Sequence, residues 1–356
     1  MNKKSKTKNA ATASHLTTDL FSYSENDFKK GKKMKTEVNK QLNDLKSFVG
    51  AKEIFLANQS FANVDFFSTG SYYLDKILGT GGWPKGRIIE IYGSESSGKS
   101  TLALKAIAEC QKNDGNVVYV DSEGSFDGKW AQTNGVNLDK LMLAKPETGE
   151  QAVTIVNALV KTKLVDLIIV DSVASMTPSV EIEADVTDQS MGLHARLMSK
   201  AMRLIQASLL YNDRTTIIFI NQTRSKIGVT YGSNITTTGG NALKFAASVR
   251  VELKKYEAIR ESADIIGYHI KATVIKNKLA APMKNALLPF YFQVGFDQIS
   301  EIIQAALSKG ILIKKGTWYY LKDENLGQGI KAVREKLVNN TELFTTLKNQ
   351  VLEQEK

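Results

Sequence analysis

Ile88-Ile89-Glu90-Ile91-Tyr92-Gly93-Ser94-Glu95-Ser96-Ser97-Gly98-Lys99-Ser100 decides the fold. Its first five residues are a short, largely β-branched run, as expected of a strand buried on both faces. The next eight, G-S-E-S-S-G-K-S, fit a phosphate-binding loop between a strand and a helix. The glycines let backbone N–H groups close around phosphate oxygens, and a helix starting near Lys99 adds the positive end of its dipole. In that geometry Gly93, Ser94, Glu95, Ser96, Ser97, Gly98, Lys99, Ser100 and Thr101 cradle a nucleoside triphosphate. Lys99 reaches the β- and γ-phosphates and the Ser100 hydroxyl ligates Mg²⁺. Taken alone, the octapeptide is also compatible with an ordinary glycine turn.

Working outward, three further apolar runs, Val117–Val120, Leu167–Val170 and Thr216–Ile220, alternate with longer helical segments. That alternation predicts an α/β fold with a mostly parallel sheet. In open sheets of this kind ligands bind outside the carboxyl ends of the strands. Here those ends carry Gly93, then Asp121 with Glu123 beyond it, then Asp171, then Asn221 and Gln222, four sets of polar groups at one edge. Leu167–Asp171 has the form of a Walker B strand, so Asp171 is expected in the Mg²⁺ shell. Glu123 is the candidate for orienting a water in line with the γ-phosphate, the alternative being a surface glutamate. Glu95 is a rival carboxylate whose place between the glycines turns it towards a DNA loop or a neighbouring chain.

Further strands are expected at Val249–Lys254, His269–Ile275 and Phe290–Val294. From Asp297 the pattern becomes helix (Ile299–Leu307), hairpin (Trp318–Leu321) and helices (Gly329–Leu337, Leu343–Leu352), a small α+β domain. Two long segments follow strand ends: Ser179–Met191, polar and acidic, and Thr223–Gly240, with little periodicity. The second carries Arg224 and Lys226, then Thr238-Gly239-Gly240-Asn241, which suits a helix start. Basic, small and apolar residues such as Ile227 and Met191 suit a single strand of DNA held by its backbone; an ordinary surface loop is the alternative. The expected division is a basic N-terminal arm with an oligomerisation helix (1–60), an ATPase core (61–296) and a C-terminal domain (297–356).

Of 356 residues, 42% are hydrophobic and 24% charged, a globular balance that excludes a mainly disordered chain. One cysteine, Cys110, excludes an internal disulfide framework and a cysteine-cluster zinc site. No apolar run is long enough to span a bilayer and no secretory signal is visible, so a cytoplasmic setting without membrane partners is expected. Net charge is +10, and residues 1–60 hold 12 Lys against 6 Asp or Glu. A basic arm suggests nucleic acid or an acidic partner surface; a solvated tail is the alternative. Spacing of Met34, Val38, Leu42, Leu45, Phe48 and Val49 predicts a short amphipathic helix over 34–49 that must dock to be stable.

Residues 67–340 resemble the bacterial RecA recombinase family. The resemblance runs through Ser68–Asp75, Gly86–Ser100, Val170–Pro178, Met191–Arg203, Phe219–Val229, Thr236–Phe245 and Lys276–Pro282, in that order. It implies an ATP- and Mg²⁺-dependent helical homo-filament on single-stranded DNA that pairs it with homologous double-stranded DNA in recombination and repair. It also implies a repressor as a further protein substrate. By position, Glu123 looks like the water-activating carboxylate, Asp127 and Trp130 like the adenine contacts, and Gln222 like the γ-phosphate sensor. Lys276 and Lys278 look like lysines that reach a neighbour's nucleotide. Met191, Arg196, Ser199 and Arg203 belong to a first DNA loop and its helix. Arg224, Ser225, Lys226, Ile227, Gly239, Gly240 and Asn241 belong to a second, and Phe245 relays nucleotide state.

The chain departs from the family pattern in Ser100 for Thr, Trp130 for Tyr, Gly124 for His, His194 for a small residue and Thr223 for an aliphatic one. It also has a longer basic arm and no acidic tail. A hexameric motor of the same fold, or a DNA-binding protein that holds ATP without turnover, are the competing readings. The Lys276/Lys278 pair opposes the first; Lys99, Glu123 and Asp171 together oppose the second.

Overall fold

The structure, a computed structural model, describes residues 38–48, 50, 64–185, 192–225 and 235–354. They divide into two units, 1–63 and 64–356, and the first contains a helix over 38–48 (α1). That helix falls within the stretch where apolar spacing of three and four places one.

The second unit is built on a ten-stranded sheet. A separate pair, β1 (Phe66–Phe67) and β2 (Trp83–Pro84), precedes it. The sheet comprises β3 (Ile88–Gly93), β4 (Val117–Asp121), β5 (Leu141–Ala144), β6 (Leu167–Asp171), β7 (Thr216–Ser225), β8 (Ile235–Thr237), β9 (Val249–Glu261), β10 (Asp264–Asn277), β11 (Asn285–Tyr291) and β12 (Gly295–Phe296). Its order is β12-β11-β10-β9-β3-β7-β6-β4-β5, with β8 paired to β7. From β9 to β5 all neighbours are parallel; from β9 out to β12 they are antiparallel.

Period-two alternation explains why these strands carry no polar face. Ile89, Ile91, Tyr119, Leu167, Ile169, Ile218 and Ile220 enter one core, against α2 (Tyr72–Leu78) and α3 (Lys99–Lys112). Ile88, Val118, Val120, Ile168, Val170, Ile217 and Phe219 enter the other. That second core is covered by α5 (Gly149–Thr162), α7 (Leu193–Leu209) and α8 (Ala242–Ala246). Both faces are buried, as a parallel sheet requires. The short helices α4 (Gly128–Thr133) and α6 (Ser179–Glu183) lie in connections.

Four expectations need correction. The helical reading between Val120 and Leu167 missed β5, because Leu-Met-Leu-Ala lacks β-branched residues and favours helix, whereas pairing with β4 makes it an edge strand. The strand expected at Phe290–Val294 is β11, Asn285–Tyr291, and runs through Pro289 opposite His269; a proline is tolerated where only the two-residue β12 flanks the strand. Thr223–Gly240 is not one structureless loop, since β7 continues to Ser225 and pairs with β8, Thr223 opposite Thr237. Residues 226–234, with Lys226 and Ile227, lie outside the described residues. Finally, the C-terminal hairpin is a three-stranded sheet of β13 (Leu312–Lys315), β14 (Trp318–Leu321) and β15 (Glu324–Gln328). Glu-Asn-Leu-Gly-Gln gives no apolar run, and of its residues Leu326 alone is buried.

That sheet packs with α9 (Gln298–Ser308), α10 (Gly329–Asn339) and α11 (Thr341–Glu353) around Ile302, Ile303, Tyr319, Val333, Leu337, Leu347 and Val351. The cluster also takes in Tyr72. Glu301 on α9 is fully buried, accepts hydrogen bonds from the Ser71 hydroxyl (2.9 Å) and the Tyr73 N–H (3.1 Å), and so anchors the start of α2. Burial, followed by the facing carboxylates of Asp75 and Asp297, raises its pKa to about 8.

Candidate nucleotide site and nucleic-acid interface

The loop after β3 turns on Gly98, whose φ of 84° is left-handed and whose added Cβ would meet the Phe296 ring at 2.9 Å. Glycine is required there on both counts. Ser97 donates to the Ser94 carbonyl (2.8 Å), and the Lys99 ammonium donates to the same carbonyl (2.7 Å). The Lys99 side chain is buried, and desolvation lowers its pKa against the opposing charges of Asp171, Glu123 and Glu95. Ser94, Glu95, Ser96 and Ser100 are exposed, while Ser97 and Thr101 are buried.

Ser100 donates to Asp171 Oδ2 at 2.7 Å, which brings the two expected metal ligands together. Tyr119 donates to the same oxygen, also at 2.7 Å. Asp171 is buried, and desolvation raises its pKa while the Ser100 and Tyr119 hydrogen bonds hold it down. A hydroxyl and a carboxylate side by side are hard oxygen donors suited to Mg²⁺, which commonly takes one or two protein oxygens and completes its shell with phosphates and water. Among the described residues no cluster of three or more His, Cys, Asp or Glu forms a metal cage. The residues present therefore fit a nucleotide-bound magnesium.

Glu123 is exposed beside this pair, with its N–H donating to the Asp171 carbonyl (3.2 Å). Its loop is pinned by Asp121, which accepts from the N–H groups of Gly124 (2.8 Å), Ser125 (3.1 Å) and Phe126 (3.2 Å). Asp121 was read only as a strand end; an aspartate followed by Ser-Glu-Gly-Ser is the turn signal that marks it as a loop organiser. Asp127 caps α4 by accepting from the Trp130 N–H, and the Trp130 indole donates to the Thr101 hydroxyl (3.1 Å). Trp130 thus touches the end of the phosphate loop, and Asp127 caps the helix that carries it.

Gln222 lies opposite Gly93 on the neighbouring strand β7. Asn221, read with it as a polar strand end, is instead fully buried and donates to Glu90 (3.0 Å). A cavity of about 320 Å³ opens on residues Ser96 to Thr101, walled by Lys255, Tyr268, Ile270, Phe290 and Phe292. Sequence reasoning missed this wall, because only the register of β9, β10 and β11 carries it to the phosphate loop. Lys276 and Lys278 are not brought to their own chain's loop. Lys276 donates to the carbonyls of Lys244 (2.7 Å) and Phe245 (3.0 Å), at the level of Arg250 and Glu90.

On α7, Arg196, Ser199 and Arg203 follow a spacing of three and four and share one face. Both arginines are exposed, while Leu197, Met198, Ala201, Met202 and Ile205 are buried on the other face. Met191 lies outside the described residues. Gly239 has φ 86°, and a Cβ there would press on Met198 (3.0 Å) and Val173 (3.2 Å); one at Gly240 would meet Ala195 (3.2 Å). His194 contacts the Val173 carbonyl (2.9 Å). The start of α7 and the return of the β7–β8 hairpin therefore converge just beyond β6. Arg224, at the hairpin's outer face, is exposed and reaches the Thr238 hydroxyl at 3.4 Å. Ser225 closes β7 opposite Ile235. Asn241 stands immediately before α8, a helix of only five residues, and makes no side-chain capping bond to it. Phe245 on that helix is 74% exposed.

Residues 36–297 match the model of the RecA N-terminal domain and residues 300–356 that of the RecA C-terminal domain. The chain belongs to the RecA family. Protein RecA of Malacoplasma penetrans (strain HF-2) is 46% identical over 303 residues, 85% of this chain and 92% of that one. Protein RecA of Mesomycoplasma hyopneumoniae (strain 232) is 46% identical over 325 residues, 89% and 96% of the two chains. That of Fusobacterium nucleatum subsp. nucleatum is 47% identical over 298 residues, 84% and 79%. As a RecA-family member the chain is a nucleotide-binding, DNA-dependent ATPase of homologous recombination and repair, which binds single- and double-stranded DNA and forms filaments. No helix among the described residues is long and apolar enough to cross a membrane.

Proposed function

We propose that the RecA-type activity of this chain is hydrolysis of ATP with Mg²⁺ at the end of β3, on a filament whose neighbouring subunit completes the site. The observation that carries this is the contact of Ser100 with Asp171 beside the buried Lys99. Magnesium held by Ser100 and Asp171 would neutralise charge on the β- and γ-phosphates. Lys99 exchanges the Ser94 carbonyl for a phosphate oxygen as the acceptor of its ammonium, backbone N–H groups from Ser94 to Ser100 line the phosphates, and Glu123 orients the attacking water. Trp130 and Asp127 hold the adenine, and Gln222, beside Gly93, meets the γ-phosphate. Lys276, whose ammonium is tied to the Lys244 and Phe245 carbonyls, and Lys278 act on the next subunit's phosphates and place positive charge where it develops in the transition state.

Met191 with Arg196, Ser199 and Arg203 of α7, and the β7–β8 hairpin with Gly239, Gly240 and Asn241, belong to the two DNA loops. Their convergence supports one groove for a single strand, gripped by Arg196, Ser199, Arg203 and Arg224 and by Ser225, Lys226, Ile227 and Met191. Phe245, exposed on α8, relays between neighbours. The division at 60 and 296 belongs to the same reading, supported at its second boundary by the change of family model between 297 and 300. So do a cytoplasmic setting and a repressor substrate, the latter testable as repressor self-cleavage on the loaded filament. The principal test is phosphate release with and without oligo-dT. Stimulation by the oligonucleotide is expected, and turnover indifferent to it contradicts the proposal.

A further inference from the structure

A carboxylate stands in the middle of a strand buried at every residue. Glu90 is the third residue of β3, between Ile89 and Ile91, and has no solvent exposure. Nothing in phosphate chemistry uses it. Stability does not account for it either, since apolar side chains of similar volume commonly replace a buried ion pair at no loss.

Its partners give it a reach that few single residues have. Arg250 pairs with one carboxylate oxygen through Nε, and its guanidinium lies over the Tyr92 ring at 4.6 Å. Asn221 donates from Nδ2 to the other oxygen at 3.0 Å. The same Nδ2 donates to the Thr238 carbonyl at 3.0 Å, and Asn221 Oδ1 accepts the Gln222 N–H at 2.9 Å. Asn221 therefore has every polar group committed, and only one amide orientation satisfies all three bonds.

Each bond leads somewhere different. Gln222 stands beside Gly93, where the phosphate loop begins. Thr238 is the residue after β8, immediately before Gly239 and Gly240, and its N–H closes back on the Gln222 carbonyl at 3.3 Å. Arg250 faces Lys276 across the β9–β10 ladder. We propose that Glu90 is a positioning residue which, through Asn221, fixes the root of the β7–β8 hairpin against Gln222, so that a strand bound at the hairpin is registered at the phosphate edge. This rests on the reading of that hairpin as a DNA loop.

Two variants interrupt the relay at different bonds. Glu90→Gln turns one acceptor oxygen into a donor, so either Arg250 or Asn221 loses its partner. Asn221→Ala leaves the Glu90–Arg250 pair in place and removes the link to Thr238. Each is assayed for phosphate release at saturating ATP with and without oligo-dT, for affinity to a fluorescent ATP analogue and to labelled oligo-dT, and for its melting temperature. The expected result is a tenfold or greater loss of the stimulated-to-unstimulated ratio in both. The loss should lie in kcat rather than in the oligo-dT concentration needed for half-stimulation, with unstimulated rate and ATP affinity within about twofold of the parent. The double variant should be no worse than the poorer single one, as expected of residues in one network. If Glu90→Gln does not fold, Asn221→Ala decides. Folded Asn221→Ala with an undiminished ratio overturns the inference, as do additive losses in the double variant. If the parent protein itself shows no stimulation by oligo-dT, it is the DNA-loop reading that fails.

Discussion

The two regions read as ligand sites, the nucleotide edge and the face assigned to DNA, are made of different material. At the nucleotide edge Lys99, Asp121 and Asp171 are buried and each already holds a partner. At the face assigned to DNA, Arg196, Arg203 and Arg224 are exposed. A buried polar group acts in low dielectric and leaves its partners stranded when removed. An exposed cation acts mainly by displacing counterions, and each contributes a small, separable share. The nucleotide edge should therefore fail all at once, and the DNA face by degrees.

The largest expected effect is at Lys99. Lys99→Ala should reduce phosphate release by about 10²–10³-fold or more, the scale seen when a preorganised charge is removed from a transition state. The melting temperature should stay within a few degrees, because burial already disfavours this ammonium. A collapse in melting temperature would make Lys99 a structural residue and dissolve the contrast. Asp121→Ala should come next. Three N–H groups lose their acceptor, so stability should fall by about 1–3 kcal/mol. kcat should fall about tenfold with ATP affinity kept, checked by chemical unfolding and steady-state kinetics.

Glu301 separates burial from function, being as buried as the nucleotide-edge groups but distant from chemistry. Its folded-state pKa of about 8 lies above the ordinary 4.5, so the native state holds a proton that the unfolded chain has lost. Its stabilising contribution is full below about pH 4.5 and is lost as pH rises through about 8, at no more than about 1.4 kcal/mol per pH unit. Glu301→Gln should flatten the decline of melting temperature between pH 6 and 8.5 and leave ATP turnover unchanged; equal slopes in the two proteins would refute the assignment. The smallest effect is at the DNA face. Arg203→Ala should lower the slope of log affinity against log salt for oligo-dT by about 0.7. DNA-stimulated hydrolysis should weaken while unstimulated nucleotide binding is kept. An unchanged slope would remove Arg203 from the groove.

Apart from the edge strand β5, the parallel half of the sheet was legible because β-branched runs ending in Gly93, Asp121 and Asp171 carry both the strand and its chemistry in one short stretch. The antiparallel half was less so. Lys255, Tyr268, Phe290 and Phe292 reach the phosphate loop only through strand register, which no local pattern encodes. Asn221 shows the opposite error: a polar strand end reads as a site residue, yet its side chain turns inward to a carboxylate that interrupts an apolar strand. The hairpin root was hidden for a related reason, since Thr223-Arg224-Ser225 and Ile235-Thr236-Thr237 are strands by pairing with each other rather than by composition.

The central claim is that Lys276 and Lys278 of one subunit serve the nucleotide of the next, and mixing two dead proteins tests it most directly. A Lys99→Ala chain lacks a working loop, and a Lys276→Ala/Lys278→Ala chain lacks the reaching lysines. Head-to-tail filaments of an equal mixture contain about one junction in four with an intact loop facing intact lysines. DNA-dependent phosphate release from the mixture should reach about a quarter of the parent rate while each chain alone stays near background. A mixture as inactive as its components would contradict the account.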